Sequence, residues 1–437
     1  MKYTPNPDPV VDGMLQTLGL TDLSQLFSDI KGELQLSREL NIPGGGGEME
    51  LRSHLKELAA RNRNTEDYPC FLGAGAYDHY IPAALEQLLL RSEFYTAYTP
   101  YQPEISQGIL QSIFEYQTMI CNLTGLDVSN ASLYDGGSAL AEACSLACVN
   151  SKGRRKVVLP DTVHPESLQI LKSYSLSGHM DIVIVPGRNG AAATDSMLAA
   201  IDDQTAAVVI QQPNFFGIIE DARLVEEAIH ARKGLFIMAV EPISLAVLKS
   251  PGEWGADIAV GEGQPLGLSL SMGGPYLGFM AARKALMRKI PGRIVGQTAD
   301  LDGKTAYVLT LQAREQHIRR EQAASNICSN QALCALAASM YLTFVGPRGL
   351  KDIALRCHQL ARYAGQALEQ AGLHLKCGQP FFNEFVVSIS DPGAANRRLL
   401  ENGIIGGYEL EDALLLAFTE KRTTAEIDRL AAVLGGK

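Results

Sequence analysis

Apolar positions between about residues 130 and 285 predict short strands that alternate with helix-length segments. The predicted strands are runs rich in branched residues: ASLYD (131–135), KVVLP (156–160), DIVIVP (181–186), AAVVIQQP (206–213), LFIMAV (235–240), DIAVG (257–261) and YLGFMAA (276–282). Between most of them lie helical patterns such as SALAEACSLACVN, and ARLVEEAIHARKG, which ends in a helix-stop glycine. This alternation predicts an α/β fold with a mainly parallel sheet covered on both faces. Such sheets bind ligands at the C-terminal ends of their strands.

The two ends of the chain have different patterns. About 70 N-terminal residues contain short helical patterns separated by IPGGGG (42–47), which indicates a linker, with a backbone nest for an anion as the alternative. After about residue 310, long helical patterns precede the apolar run FFNEFVVSIS. We therefore expect a helical arm over 1–80, a large α/β domain over 81–310 and a small α+β domain over 311–437.

Composition and charge narrow the classes of partner. Hydrophobic residues make up 46% of the 437 residues and charged residues 20%, as in a globular protein with a large core. The net charge of −10 argues against nucleic acid and membrane surfaces as partners, because both are anionic. We find no apolar run of membrane-spanning length and no signal-peptide core at the N-terminus, so we expect a cytoplasmic protein.

Eight cysteines raise the question of a metal site. Cys144 and Cys148 stand one helical turn apart, as two metal ligands can, but their neighbours are small and apolar and no second pair has ligand spacing. We expect buried free thiols and no metal. A disulfide framework does not suit a cytosolic chain of this size.

The most informative segment has no lysine between Lys249 and Lys284. It is similar to the cofactor-bearing segment of aminotransferase-type enzymes that use pyridoxal 5′-phosphate (PLP), in which a lysine just after the GADIAVG strand holds the cofactor covalently. Here that neighbourhood is the run Glu262–Pro265. The sequence thus predicts an aminotransferase-like PLP fold (fold type I) that lacks its reactive lysine.

Two motifs suggest remnants of a cofactor pocket. In YDGGSALAEA (134–143), Gly136, Gly137 and Ser138 open a helix, where free N–H groups and a hydroxyl can form a phosphate site. An ordinary turn with Ser138 as the N-cap is the alternative. Glu241 ends the LFIMAV strand, where enzymes of this fold place an acid against the pyridinium nitrogen. A structural carboxylate satisfied by its own hydrogen bonds is equally compatible with that position.

Polar-tipped aromatic residues gather in FLGAGAYDHYIP (71–82) and FYTAYTPYQPEISQG (94–108). Irregular backbone with such side chains suits a loop that lines a substrate site, and an aromatic seam between the arm and the sheet is the alternative. The residues concerned are Tyr77, Asp78, His79, Tyr80, Tyr95, Tyr98, Tyr101 and Glu104.

A fourth motif, HIRREQAASNICSNQAL (317–333), joins two arginines to a helix start. Its amide and hydroxyl side chains could bind a phosphate or carboxylate together with the free N–H groups of the helix. A capped helix after a solvated basic turn is the alternative.

Four of these segments, in their order along the chain, resemble the P-protein family of the glycine cleavage system, the decarboxylating glycine dehydrogenases. They are FLGAGAYDHYIP (71–82), YTAYTPYQPEISQG (95–108), YDGGSALAEA (134–143) and RREQAASNICSNQAL (319–333), and the resemblance covers essentially the whole chain. That family occurs as one long chain or as two homologous half-length chains. The length and the missing lysine are similar to the N-terminal, or α, subunit of the split form. The resemblance implies an α2β2 heterotetramer in which the β subunit holds PLP on its lysine. The complex decarboxylates glycine and transfers the aminomethyl group to the lipoyl arm of H-protein.

The resemblance also implies that this chain has no catalytic residue of its own and completes the active site of the β subunit. Tyr98, Tyr101 and Glu104 are expected to form a wall near the partner's cofactor. Asn326, Cys328 and Ser329 are expected on its phosphate side. A vestigial pocket without covalent PLP is expected at Gly136, Gly137, Ser138 and Glu241.

Two other functions stay open. One is a self-sufficient PLP-dependent lyase or aminotransferase with a displaced lysine, for which Lys284 and Lys289 are the nearest candidates. The other is a non-catalytic pseudoenzyme that senses an amino acid or PLP.

Overall fold

The computed structural model describes residues 6–94, 97–327 and 329–436. Tyr95 and Cys328, both singled out above, lie outside these described residues. The chain forms two compact units, Met1–Asn62 and Arg63–Lys437. The first contains helices α1 (Asp8–Thr17) and α2 (Glu48–Ala59) and the 3-10 turns Leu23–Phe27 and Gly32–Leu34.

The second unit contains the remaining helices and all the described strands. Its helices are α3 (Ala83–Leu89), α4 (Gln107–Thr124), α5 (Gly136–Asn150), α6 (Pro165–Ser175), α7 (Thr194–Ala200), α8 (Arg223–Ala231), α9 (Gln316–Arg319), α10 (Ala332–Gln370), α11 (Pro392–Glu401) and α12 (Thr424–Leu434). Its strands are β1 (Val128–Ser129), β2 (Lys156–Pro160), β3 (Asp181–Val185), β4 (Thr205–Gln212), β5 (Leu235–Val240), β6 (Ile258–Glu262), β7 (Gly278–Ala282), β8 (Ile294–Ala299), β9 (Thr305–Thr310), β10 (Glu384–Ser388), β11 (Tyr408–Glu409) and β12 (Ala413–Ala417).

A seven-stranded sheet in the order β1-β7-β6-β5-β4-β2-β3 forms the centre of this unit. The run from β6 to β3 is parallel, and β7 and β1 pair antiparallel at one edge. Successive residues of one strand pack into different cores: Val208 belongs to one buried cluster and Val209 to another. Burial on both faces explains why these strands are continuous apolar runs. The predicted α/β fold with a mainly parallel sheet is therefore confirmed.

A second, antiparallel sheet lies in the C-terminal part. It has the order β10-β12-β11, and its buried residues form a separate cluster with α10, α11 and α12. The two long helical patterns predicted after residue 330 form the single element α10, which is broken at Gly346 (φ 61°, ψ 177°) just before Pro347. Among the described helices α10 is also long and apolar enough to span a membrane. Half of its most apolar window is buried in the molecule, however, and a core helix meets the same criteria.

One sequence prediction about a strand is wrong, and one pair of strands was missed. The segment 131–135 is not a strand: Ser132 has φ 154°, and Leu133 makes only an isolated bridge to Gly278. Its apolar residues are buried in irregular backbone instead. The antiparallel hairpin β8–β9 was not predicted, because its two strands are mostly half-exposed or exposed and do not form an apolar run.

Candidate functional site

A cavity of about 510 Å³ opens at the C-terminal ends of β4, β5 and β6, where parallel sheets place their ligand sites. Its lining includes the loop 74–77, the start of α5 and five acidic residues: Asp135, Glu166, Glu241, Glu262 and Glu384. We call it the first cavity. The sequence predicted this location from the strand pattern alone.

Glu262 ends β6 and occupies the neighbourhood where enzymes of this fold carry their lysine. Its Oε2 accepts a hydrogen bond from the Gly136 N–H at 2.9 Å, and its Oε1 accepts from Gln264 N at 3.0 Å and Leu277 N at 2.8 Å. Burial raises the pKa of Glu262 to about 7, although the three N–H groups act in the opposite direction. This carboxylate therefore ties β6 to the helix start that was the candidate phosphate loop.

The start of α5 is already bound by carboxylates of this chain. Asp135, not Ser138, is the N-cap, since the Asp135 Oδ1 accepts from the Ser138 N–H at 2.7 Å. The alternative interpretation, with Ser138 as the N-cap, is wrong because Ser138 lies three residues inside the turn that Asp135 caps. Two of the N–H groups that would meet a phosphate, those of Gly136 and Ser138, thus have anionic partners within the chain.

Glu241 follows β5 and is bound by its own backbone. Its two carboxylate oxygens accept from Ile243 N at 2.9 Å and Ser244 N at 2.6 Å, and burial raises its pKa. This geometry is that of the structural carboxylate, the second of the two interpretations offered for this residue.

Glu384 begins β10 and joins the small sheet to the loop 71–82. Its Oε1 accepts from Ala74 N at 2.6 Å, and its Oε2 accepts from the Tyr77 hydroxyl at 2.9 Å. Burial raises the pKa of Glu384 to about 7. Sequence reasoning did not single out this residue, because an isolated glutamate before an apolar strand carries no local signal.

These contacts test whether PLP fits the first cavity of this chain. Its described lining contains no lysine and no arginine, and three of its glutamates are at least partly buried. A phosphate ester would face the carboxylates of Asp135 and Glu262 at the helix start. The residues present do not fit the cofactor, since anions repel anions most strongly where water is excluded.

A second cavity, of about 430 Å³, lies between Phe94 and residues 97–99 on one side and the start of α10 on the other. The Tyr98 hydroxyl and the Ser329 Oγ are 3.2 Å apart on its wall. Arg293 also lines it and donates to the Tyr101 hydroxyl and to the Asn330 Oδ1, each at 3.2 Å. We call this space the second cavity.

The comparisons with known proteins agree with the four sequence motifs. The glycine cleavage system P-protein family matches residues 1–434. The chain belongs to this family. A protein of Syntrophomonas wolfei named "Probable glycine dehydrogenase (decarboxylating) subunit 1" is 66% identical over 437 residues, which is all of both chains. A relative of the same name in Carboxydothermus hydrogenoformans is 55% identical over the full length of both.

The P-protein family assignment extends to solved structures. The crystal structure of a glycine decarboxylase (P-protein) in inhibitor-bound form is similar with a TM-score of 0.91 and 41% identity over the whole of both chains. A sphingosine-1-phosphate lyase of Burkholderia pseudomallei has a TM-score of 0.67 at 15% identity over 92% of this chain and 93% of that one, a likeness of fold alone. The predicted fold type I architecture is thereby confirmed.

The structure divides the aromatic residues of this P-protein family member between two places. Tyr77 lines the first cavity, and Asp78 and His79 bind Lys421 and Glu420 at the end of the small sheet. Tyr98 and Tyr101 lie at the second cavity or against its Arg293. The sequence had treated these residues as one cluster, and that interpretation is wrong because the two loops lead to different cavities.

The residues predicted to reach a partner are only partly brought together. Tyr98 and Ser329 face each other, and Tyr101 contacts Arg293. Glu104 and Asn326 are exposed and do not line the second cavity, and Cys328 is outside the described residues. The sequence missed Arg293, whose only signal is a single charge inside the run IPGRIVG between buried isoleucines.

The two lysines considered as displaced cofactor-binding residues do not lie at the first cavity. Lys284 and Lys289 are exposed, and neither lines the first cavity. The Lys289 Nζ donates to the Asn150 side chain. The geometry gives no support to a self-sufficient lyase or aminotransferase that uses either residue.

The described cysteines are free thiols. Cys144 and Cys148 are buried, as predicted, and burial raises the pKa of each thiol, to about 11 for Cys148. A separate group unites the His79 Nδ1, the Cys357 Sγ and the Glu420 carboxylate within 4.8 Å, a spacing that would also suit a metal ion. In the structure Glu420 accepts from both, at 2.7 Å and 3.4 Å. Sequence spacing could not reveal the group, because its members come from three distant segments.

Proposed function

We propose that this chain is the α subunit of a decarboxylating glycine dehydrogenase and acts with a homologous β subunit in an α2β2 complex in the cytoplasm. The partner would hold PLP on its lysine, and the complex would decarboxylate glycine and load the aminomethyl group onto the lipoyl arm of H-protein. One observation carries the proposal. Glu262 occupies the lysine's neighbourhood and binds the helix start, so this chain needs a partner to carry the cofactor.

When bound to the partner, PLP supplies an electron sink for the charge released by decarboxylation. The residues of this chain would lie beside the partner's active site and would not bind the cofactor covalently. At the second cavity Tyr98 is 84% exposed and Leu333 52%, and Tyr101, which accepts from Arg293, is 53% exposed. Exposed aromatic and aliphatic side chains of this kind suit a surface that is covered by another subunit. The hydroxyls of Tyr98 and Ser329 would then orient an anionic group of the ligand while the apolar side chains exclude water.

Mixing this chain with a homologous lysine-bearing partner is expected to create activity that neither chain has alone. The measurement is glycine–bicarbonate exchange in the presence of PLP and lipoylated H-protein, with size-exclusion chromatography to follow assembly. A Tyr98→Phe, Ser329→Ala double variant should still assemble but lose activity by about tenfold or more, because two hydrogen bonds at the ligand are removed.

Tyr363→Phe is the matched control, since Tyr363 lies on the distant half of α10 and its hydroxyl donates to Asp428 on α12. It should leave the exchange rate unchanged. The proposal fails if the two wild-type chains assemble and exchange does not rise above the level of the separate chains. In that case a response of the isolated chain to glycine would favour the amino-acid-sensing pseudoenzyme.

A further inference from the structure

Arg293 is a buried cation without a carboxylate partner. Its residue is 7% exposed, and among the described residues it forms no ion pair. Its two terminal nitrogens donate to neutral groups, the Asn330 amide oxygen and the Tyr101 hydroxyl, and its Nε has no acceptor in the part of the chain that the structure describes. A charge held this way costs free energy unless an anion is brought to it.

The start of α10 supplies a second, independent feature of the same cavity. Gln331 is its N-cap and makes no side-chain capping hydrogen bond, and Ala332 and Leu333 line the cavity. The first N–H groups of a helix have no intrahelical acceptor and lie at the positive end of its dipole. A helix start beside a buried guanidinium is suited to an oxyanion.

Hydroxyl groups complete the set of donors. Tyr98 and Ser329 meet on the cavity wall. The buried Tyr116 also lines the cavity, and its hydroxyl has no hydrogen-bond partner among the described residues. None of the residues that line the described cavity is acidic, in contrast to the first cavity. The two cavities share Gln331 on their walls but have opposite electrostatic character.

We propose that the second cavity is an oxyanion site for a phosphate group, in which Arg293 supplies the positive charge and the start of α10 supplies N–H donors. The phosphate has two sources with the same chemistry: free inorganic phosphate, or the phosphate ester of a cofactor held by the partner. The second source rests on the proposed function, whereas the site itself does not.

The first test uses the isolated full chain and inorganic phosphate. Phosphate is expected to raise the Tm of the wild type at constant ionic strength, and the shift should disappear in Arg293→Gln. Arg288→Gln is the matched control, because this substitution removes the same charge from an exposed arginine five residues away. It should keep the phosphate response. An equal shift in all three proteins would show general ion stabilisation and overturn the site.

The Tm of Arg293→Gln also distinguishes an arginine that is kept for a ligand from one that stabilises the fold. In phosphate-free buffer its Tm should equal or exceed that of the wild type, since the uncompensated charge is gone. A strongly lowered Tm would identify Arg293 as a structural residue and contradict the proposal. If the glutamine variant does not fold, Ser329→Ala tests the same cavity, and it should weaken the phosphate response.

The second test separates the two sources. In the complex with the partner, Arg293→Gln should weaken PLP affinity by about tenfold or more if the ester phosphate reaches this site. Unchanged PLP affinity, with the phosphate shift of the isolated chain still lost, identifies free phosphate as the ligand. If the complex does not form or does not react, the proposed function is contradicted, but the result of the first test still stands. The oxyanion site is overturned if neither the phosphate shift nor the PLP affinity depends on Arg293.

Discussion

Replacing Gly217 with alanine is expected to lower the free energy of unfolding by roughly 4 kcal/mol or more. Gly217 has φ +80°, and a Cβ there would lie 1.9 Å from the backbone oxygen of Glu384. The Gly217 carbonyl also accepts from Phe382 N at 3.0 Å, so the turn after β4 and the start of β10 are in backbone contact. Neither backbone can rotate away as a side chain could. The substitution must therefore separate the two sheets at the first cavity.

Gly303→Ala is the control for this prediction. Gly303 has nearly the same conformation, φ +81°, but a Cβ there would meet nothing within 4 Å. Gly303→Ala should lower the free energy of unfolding by only about 1 kcal/mol, because alanine must adopt the left-handed backbone conformation but meets no other atoms. Chemical denaturation followed by circular dichroism measures both variants. Equal losses would show that the close approach to Glu384 is not the cause.

The sequence predicted the central sheet well because its strands are buried on both faces. The runs at 156–160 and 235–240 correspond to β2 and β5 without any shift of boundaries. In such strands every residue faces a core, so local composition alone carries the signal. The segment 131–135 was also predicted as a strand, but its buried residues Ala131 and Leu133 lie in irregular backbone. Composition reports burial there, and it cannot report hydrogen-bond pairing.

The candidate site was only partly accessible from the sequence. The place of Glu262 was found, because it is defined by a strand end in the chain. Its bonds to Gly136 and Leu277 were not, because they join segments that are far apart in sequence. Arg293 was missed for the same reason, since its burial depends on packing against Tyr101 and Asn330. Such tertiary contacts decide whether a charge is solvated or held for a ligand.

Glu384→Gln is expected to stabilise the chain at pH 8 and to reduce its loss of stability between pH 5 and pH 8. The pKa of Glu384 is raised by burial from 4.5 to about 7. The folded state therefore binds more protons than the unfolded state between these values, and stability falls as the pH rises through them. At about 1.36 kcal/mol per pKa unit, the difference corresponds to at most roughly 3 kcal/mol. Urea denaturation at several pH values measures it.

Glutamine fits at this position because the two hydrogen bonds of Glu384 are chemically different. The amide oxygen can accept from Ala74 N, and the amide N–H₂ can donate to the Tyr77 hydroxyl, whose own proton can turn to water in the first cavity. Glu262→Gln gives the contrasting result, although burial raises the pKa of Glu262 to about 7 as well. Glu262 accepts only from backbone N–H groups on both oxygens, so its amide would place one donor against another and destabilise the chain. If both variants changed the free energy of unfolding equally at pH 8, the change would come from removal of the charge alone. The hydrogen-bond geometry would then make no difference to stability.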